Sequence, residues 1–128
     1  ENIVGTYMFA KYFQSLPNEN NQKFIKAFKE MWGDDIVIGD VTNNAYLGPW
    51  LWKAAVEKAG SFDIDKIKAV NGSGIEMTNA PEGYVRIHET NNHLYSKLRV
   101  GRARADGQFD VVYESELKEP DPFPKGYQ

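Results

Sequence analysis

An Asp-Gly pair at positions 106 and 107 separates two runs of alternating apolar and charged residues, and no other feature restricts this chain as strongly. Both central residues of a two-residue hairpin loop take positive φ, which Asp-Gly tolerates better than most pairs. Counting outward from such a loop places Val100 opposite Tyr113, Arg99 opposite Glu114, Leu98 opposite Ser115 and Lys97 opposite Glu116. In that register Leu98, Val100, Phe109, Val111 and Tyr113 share one face, while Lys97, Arg99, Asp110, Glu114 and Glu116 share the other with opposite charges opposed. A preceding strand, Tyr84 to His88, reaches Leu94 through Glu89-Thr90-Asn91-Asn92-His93, a polar loop of residues that tolerate the left-handed region. Ala80 to Ser115 therefore reads as a three-stranded antiparallel meander.

A chain of 128 residues has the length of one domain with a modest core. A net charge of −3 argues against a general nucleic-acid binder. The absence of cysteine excludes disulfides, zinc-thiolate sites and thiol catalysis. No apolar run approaches the roughly 20 residues that span a bilayer. The chain opens on Glu1-Asn2, with no starting Met and no signal peptide, and goes straight into an apolar run, so the expectation is a fragment of a longer protein.

From the start, Ile3 to Phe13 is β-rich, with Gly5 as a bend. Asn18, after Pro17, is the predicted N-cap of a first helix, whose apolar stripe is Phe24, Ile25, Phe28, Met31 and Trp32 and whose end is Gly33. Ile36 to Ile38 is a short β-branched run. A second helix is predicted from about Asn43 to Ala59, apolar nearly all round, with Pro49 either kinking it or marking a late start. Such a helix calls for burial between layers, and one small sheet does not offer enough cover. Missing chain, or a second subunit, is the expected cover. Asp63 is expected to cap a short third helix stopped by Asn71-Gly72-Ser73-Gly74, and the proline-rich stretch after Glu119 to be an extended tail.

Candidate chemistry is sparse. His88 and His93 flank the first turn of the meander, but no third ligand has metal-site spacing, so local hydrogen bonding is the favoured reading. Asp63-Ile-Asp65 lacks the glycine and the last glutamate of a calcium loop. Arg86, Lys97, Arg99, Arg102 and Arg104, with Tyr84 and Tyr95, form a pattern that suits single-stranded nucleic acid; Asp106, Asp110, Glu114 and Glu116 answer those charges, which disfavours it. No nucleophile elbow or phosphate loop is present, and neither an enzyme nor a cofactor is expected. The more informative stretch is Asp40-Val41-Thr42-Asn43-Asn44, followed by Tyr46. A helix N-terminus offers free N–H groups, and short polar side chains beside a tyrosine suit a small neutral polar ligand, with Val41, Thr42 and Tyr46 as candidate contacts. The competing reading has Thr42 or Asn43 merely capping the helix and Tyr46 packing in the core.

Several segments, taken in order, resemble the urea and short-chain amide-binding proteins of the type I periplasmic binding-protein group. They are YFQS at 12–15, AYLG at 45–48, LWKAAVEKAG at 51–60, NAPEGYVRI at 79–87, NNH at 91–93, VGRARADGQFDVV at 100–112 and PDPF at 120–123. The resemblance implies a mixed α/β fold, helices first and the meander last, forming the last third of a two-lobed receptor that closes on its solute. It further implies that residues 1–16 lie at the crossing between lobes, 17–74 form the helical part of one lobe, 75–117 return to the other, and 118–128 are tail. The implied partners are a small solute (urea, an amide or an amino acid) and the permease of an ABC importer, in an extracytoplasmic setting. Pro49 departs from the ordinary helix of relatives, just after the pocket wall that the resemblance implies near Val41 to Tyr46. Two other readings stand beside this one: a cytoplasmic amide-sensing regulator with an antiterminator partner, and an interaction domain that homodimerises through the second helix.

Overall fold

The computed structural model describes residues 3–126. It contains strand β1 (Tyr7–Ala10), helices α1 (Glu19–Trp32), α2 (Asp40–Ala59) and α3 (Ile64–Asn71), and strands β2 (Glu76–Met77), β3 (Val85–Ile87), β4 (Leu94–Tyr95), β5 (Arg99–Ala103) and β6 (Phe109–Glu114). The mixed α/β class stands, but the single meander does not. β2, β3 and β4 form one antiparallel sheet, and β1, β5 and β6 form another with β5 in the middle. The chain leaves one sheet after Tyr95 and enters the other at Arg99, because β5 finds its second partner in β1 rather than in β4.

Local signals placed the helices. The Asn18 side chain accepts the N–H of Asn21 at 2.9 Å, and the Asp63 side chain accepts that of Lys66 at 3.0 Å, so each caps its helix as expected. On α1 only Phe24 of the apolar stripe is buried; Met31 and Trp32 are 73% and 63% exposed. Asn21, also buried, donates to the carbonyls of Gln14 and Leu16 and accepts from the Tyr12 hydroxyl at 2.8 Å, which ties α1 to the segment after β1. Burial pushes the Tyr12 phenol well above its ordinary pKa.

α2 starts earlier than expected. Gly39 is its N-cap without a side-chain bond, so neither Thr42 nor Asn43 caps it. Pro49 marks no late start: the helix runs on through it, because proline forfeits only one N–H donor and neighbouring turns carry the remainder. Ile36 to Ile38 forms no strand. The Ile38 N–H is taken by Gln14 Oε1 at 2.7 Å, which leaves no ladder to join.

The hairpin after β5 corrects the counting from the turn. Its loop is Ala105-Asp106-Gly107, one residue longer than assumed, closed by the Arg104 N–H to the Gln108 carbonyl at 2.8 Å. Gly107, at φ 82°, supplies the left-handed residue that such a three-residue loop requires. Near the loop Ala103 therefore faces Phe109 and Gly101 faces Val111. A bulge between Val100 and Gly101 then restores the expected Val100–Tyr113 and Arg99–Glu114 pairs. The faces change accordingly. Arg99, Gly101 and Ala103 point inward on β5, and Arg99 is not on the wet side where charge pairing put it.

Two apolar clusters result. Leu47, Leu51 and Ala55 of α2 pack with Ile75, Ala80, Val85 and Ile87; Ala10, Tyr12, Phe13 and Leu16 pack with Phe24 and Ile38. Tyr46 touches both. In the second cluster Phe13 lies against Gly101 so closely that a Cβ there would stand 2.5 Å from the ring. Gly101→Ala is expected to destabilise the protein by about 1–3 kcal/mol through overpacking, read from urea unfolding. A change below about 0.5 kcal/mol would mean that the ring moves aside freely.

Candidate functional site

The first turns of α2 carry short polar side chains that reach two neighbouring segments, the one after β1 and the 80–83 turn. Asp40 Oδ1 accepts the Tyr12 N–H at 2.8 Å, and Asn44 Oδ1 accepts Lys11 Nζ at 2.8 Å. These two bonds hold the segment after β1 against the helix start. Asn43, one turn in and fully buried, donates from Nδ2 to Glu82 Oε2 at 2.7 Å. The opposite acceptors of that pair, Asn43 Oδ1 and Glu82 Oε1, are buried without partners.

Arg99 completes this junction from β5. Its Nε donates to Glu114 Oε2 at 2.8 Å, its Nη2 to the Glu82 carbonyl at 2.9 Å, and its Nη1 to the Lys11 carbonyl. One side chain, 4% exposed, thereby joins β6, the 80–83 turn and the segment after β1. Burial pushes the Glu82 carboxyl above its ordinary pKa, opposed in turn by the Lys11 charge and the Asn43 hydrogen bond, with Asp40 adding to the rise and Arg99 opposing it. Sequence reasoning missed Lys11, Glu82 and Arg99 as a group. The one available signal was Glu82 inside the APEG turn, among residues otherwise too apolar or too small to solvate a charge.

Beside the junction lies an apolar trough of about 590 Å³ between α1 and α2. Phe24, Phe28, Tyr46, Met31 and Trp32 form its body, and Asn20, Thr42 and Asn79 give it neutral polar groups. Thr42 and Tyr46 thus share one cavity, while Val41, 82% exposed, stands outside its lining. The Tyr46 ring packs on Phe24 with centroids 4.6 Å apart and on Trp50 at 6.1 Å, so it serves the core as well as the trough. A second hollow of about 470 Å³ continues past Tyr46 and Asn79 to Trp50 and Glu76.

The other candidates resolve into local contacts. His88 Nδ1 accepts the N–H groups of Thr90 and Asn91, its Nε2 faces Glu119 at 3.1 Å, and its ring stacks on Tyr95. His93 bonds within its own turn to Asn91. Among the described residues no group of His, Cys, Asp or Glu is arranged to hold a metal ion. Acids do answer the basic side chains, though not in the expected pairs: Lys97 meets Glu114 rather than Glu116, Arg104 meets Asp106 and Asp110, and Arg86 meets Glu89 while lying over the Tyr95 ring at 4.4 Å.

The family described as the periplasmic binding protein domain matches residues 1–128. The chain belongs to that family. A solute-binding protein of an ABC transporter from Rhodopseudomonas palustris, solved with 3,4-dihydroxybenzoic acid, superposes with a TM-score of 0.82 at 21% identity, covering 94% of this chain and 33% of that one. A leucine-binding protein from Thermotoga maritima superposes with a TM-score of 0.68 at 24% identity, covering 89% and 31%. A curated protein of Geobacillus stearothermophilus named limonene hydroxylase is 37% identical over 117 residues, which is 91% of this chain and 21% of that protein. The periplasmic binding protein domain described here thus spans about a third of the solved structures it resembles, whose two-lobed fold it shares in part. No helix among its described residues is long and apolar enough to cross a membrane.

Proposed function

We propose that this chain is the C-terminal part of an extracytoplasmic receptor that captures a small neutral solute of the urea or short-chain amide class for an ABC importer, and that it carries no enzymatic activity of its own. The observation that carries the solute class is the polar equipment of the trough. Asn20, Thr42 and Asn79 offer neutral donors and acceptors beside the aromatic faces of Phe24 and Tyr46. The cation in the lining, Lys23, stands in solvent beside Glu19 at 2.6 Å rather than in the trough, and Asp40 puts a negative charge in the first turn of α2. Such a wall suits amide groups better than a carboxylate, which calls for an uncommitted cation.

In this reading residues 1–16 lie at the lobe crossing, 17–74 belong to one lobe and 75–117 run back toward the other. Support comes from β1 and β5, distant in sequence yet paired in one sheet. The apolar end of the trough, at Met31 and Trp32, is covered by the remainder of the receptor.

Calorimetry of the full-length receptor against urea, acetamide, leucine and 4-hydroxybenzoate tests the assignment. Heat is expected with urea or acetamide. Thr42→Val is expected to weaken that binding by about 0.5–1.5 kcal/mol, up to roughly tenfold, as loss of one neutral hydrogen bond. Heat with leucine or 4-hydroxybenzoate alone would overturn the solute class.

A further inference from the structure

The junction between α2 and the 80–83 turn contains an incomplete pair. Asn43 and Glu82 are both buried, and the single bond between them runs from Asn43 Nδ2 to Glu82 Oε2. The two atoms left without partners, Asn43 Oδ1 and Glu82 Oε1, are both acceptors. An amide and a carboxylic acid pair through two bonds, N–H to one carboxyl oxygen and O–H back to the amide oxygen. The orphaned atoms are the two that the second bond would join. One proton is the missing component, since an ionised carboxylate has no donor to offer.

We propose that Glu82 is carried as a neutral carboxylic acid in the folded protein and closes a two-bond ring with Asn43, making this junction a proton-binding site. Of the charges around it, Lys11 and Arg99 oppose the proton and Asp40 favours it, but neither cation is bonded to the carboxyl. Lys11, following β1, directs its ammonium to Asn44 Oδ1. Arg99, from β5, commits its N–H groups to Glu114 and to the carbonyls of Lys11 and Glu82, and none to the Glu82 carboxyl. Asp40, at the start of α2, contributes negative charge. Neither cation donates to the carboxyl oxygens, so desolvation is the leading influence on the group, and it raises the proton affinity of Glu82. An unpaired buried carboxylate here would be strongly disfavoured, whereas the neutral acid satisfies all four atoms of the pair.

The consequence is a stability that depends on pH with a defined sign. The folded state holds the Glu82 proton where the unfolded chain, near its ordinary value of 4.5, releases it. The stabilisation is complete below that value and declines as pH rises toward the folded-state pKa, by at most tenfold in the folding constant per pH unit. Glu82→Gln keeps shape and neutrality and still forms two bonds with Asn43, so it lacks this decline.

The test combines two measurements on the protein and on its Glu82→Gln variant. Infrared difference spectroscopy is expected to show the carbonyl stretch of a protonated carboxyl persisting above the ordinary carboxyl value of 4.5, absent from the variant. Urea unfolding across pH is expected to give a wild-type to variant ratio of folding constants that falls as pH rises above the ordinary carboxyl range. A flat ratio together with no protonated-carboxyl band would overturn the proposal. So would a rising ratio, which marks a carboxylate stabilised by Lys11 or Arg99. The solute assignment does not enter either measurement, so its failure leaves these results readable.

Discussion

Arg99→Met should destabilise the protein by about 3–5 kcal/mol, the loss typical of removing one partner from a buried charged network. Three segments lose their common donor at once. Glu114 keeps Lys97, at 2.5 Å, and stands partly in solvent, so its share of the loss is small. The Glu82 and Lys11 carbonyls carry the larger penalty, since each accepts a guanidinium N–H beneath the surface. Methionine keeps much of the apolar stem, which confines the effect to hydrogen bonding and charge. Urea unfolding of the substituted protein measures it, with Glu114→Gln as the comparison, expected to change stability by no more than about 1 kcal/mol. If Arg99→Met were as mild as Glu114→Gln, the junction would be a surface ion pair and not a tie between segments.

Leu47→Ala comes next in size, at about 2–5 kcal/mol. Leu47 is fully enclosed where α2 meets Ile75, Ala80, Val85 and Ile87, so truncation removes transfer energy and leaves a void that the backbone of one sheet and a helix cannot readily fill. Val41→Ala, on the same helix but standing in solvent, should fall within about 0.5 kcal/mol of the parent. The contrast matters because the sequence, which starts the helix near Asn43 and shows it as apolar nearly all round, does not single out the Leu47 face as the buried one. Equal effects at both sites would mean that the sheet of β2, β3 and β4 does not hold α2 by the Leu47 face.

Much of α2 remains half open even with that face buried. Trp50 and Trp52 stand about half exposed, as does much of the outer side of β1. The excess of apolar surface that the sequence implied is therefore present in the folded chain. A chain matching only a third of its structural neighbours is consistent with it, since the surface is larger than three short helices and two small sheets cover. The candidate site was partly legible for the same reason. Thr42 and Tyr46 follow from a polar helix start beside an aromatic, a pattern confined to residues 40–46. The Glu82 and Arg99 junction was not legible beyond the Arg99–Glu114 pair, because the remaining partners lie far away in sequence: Asn43 bonds Glu82 across 39 positions, and Lys11 meets Arg99 across 88.

What the sequence determined by itself are the features whose causes lie within one turn of chain. The caps at Asn18 and Asp63, the helix ends at Gly33 and Gly60, and the turn at Asp106-Gly107 all arise from a side chain or a glycine acting on its own neighbouring backbone. Tertiary structure alone decided which side of β5 turns inward and which sheet it joins. Charge alternation allows either face of β5 to be wet, and β1, pairing from the other end of the chain, selects the one that seats Phe13 on Gly101 and buries Arg99. Packing volume outweighs surface charge pairing there, because exposed ion pairs contribute little and a filled core contributes several kcal/mol.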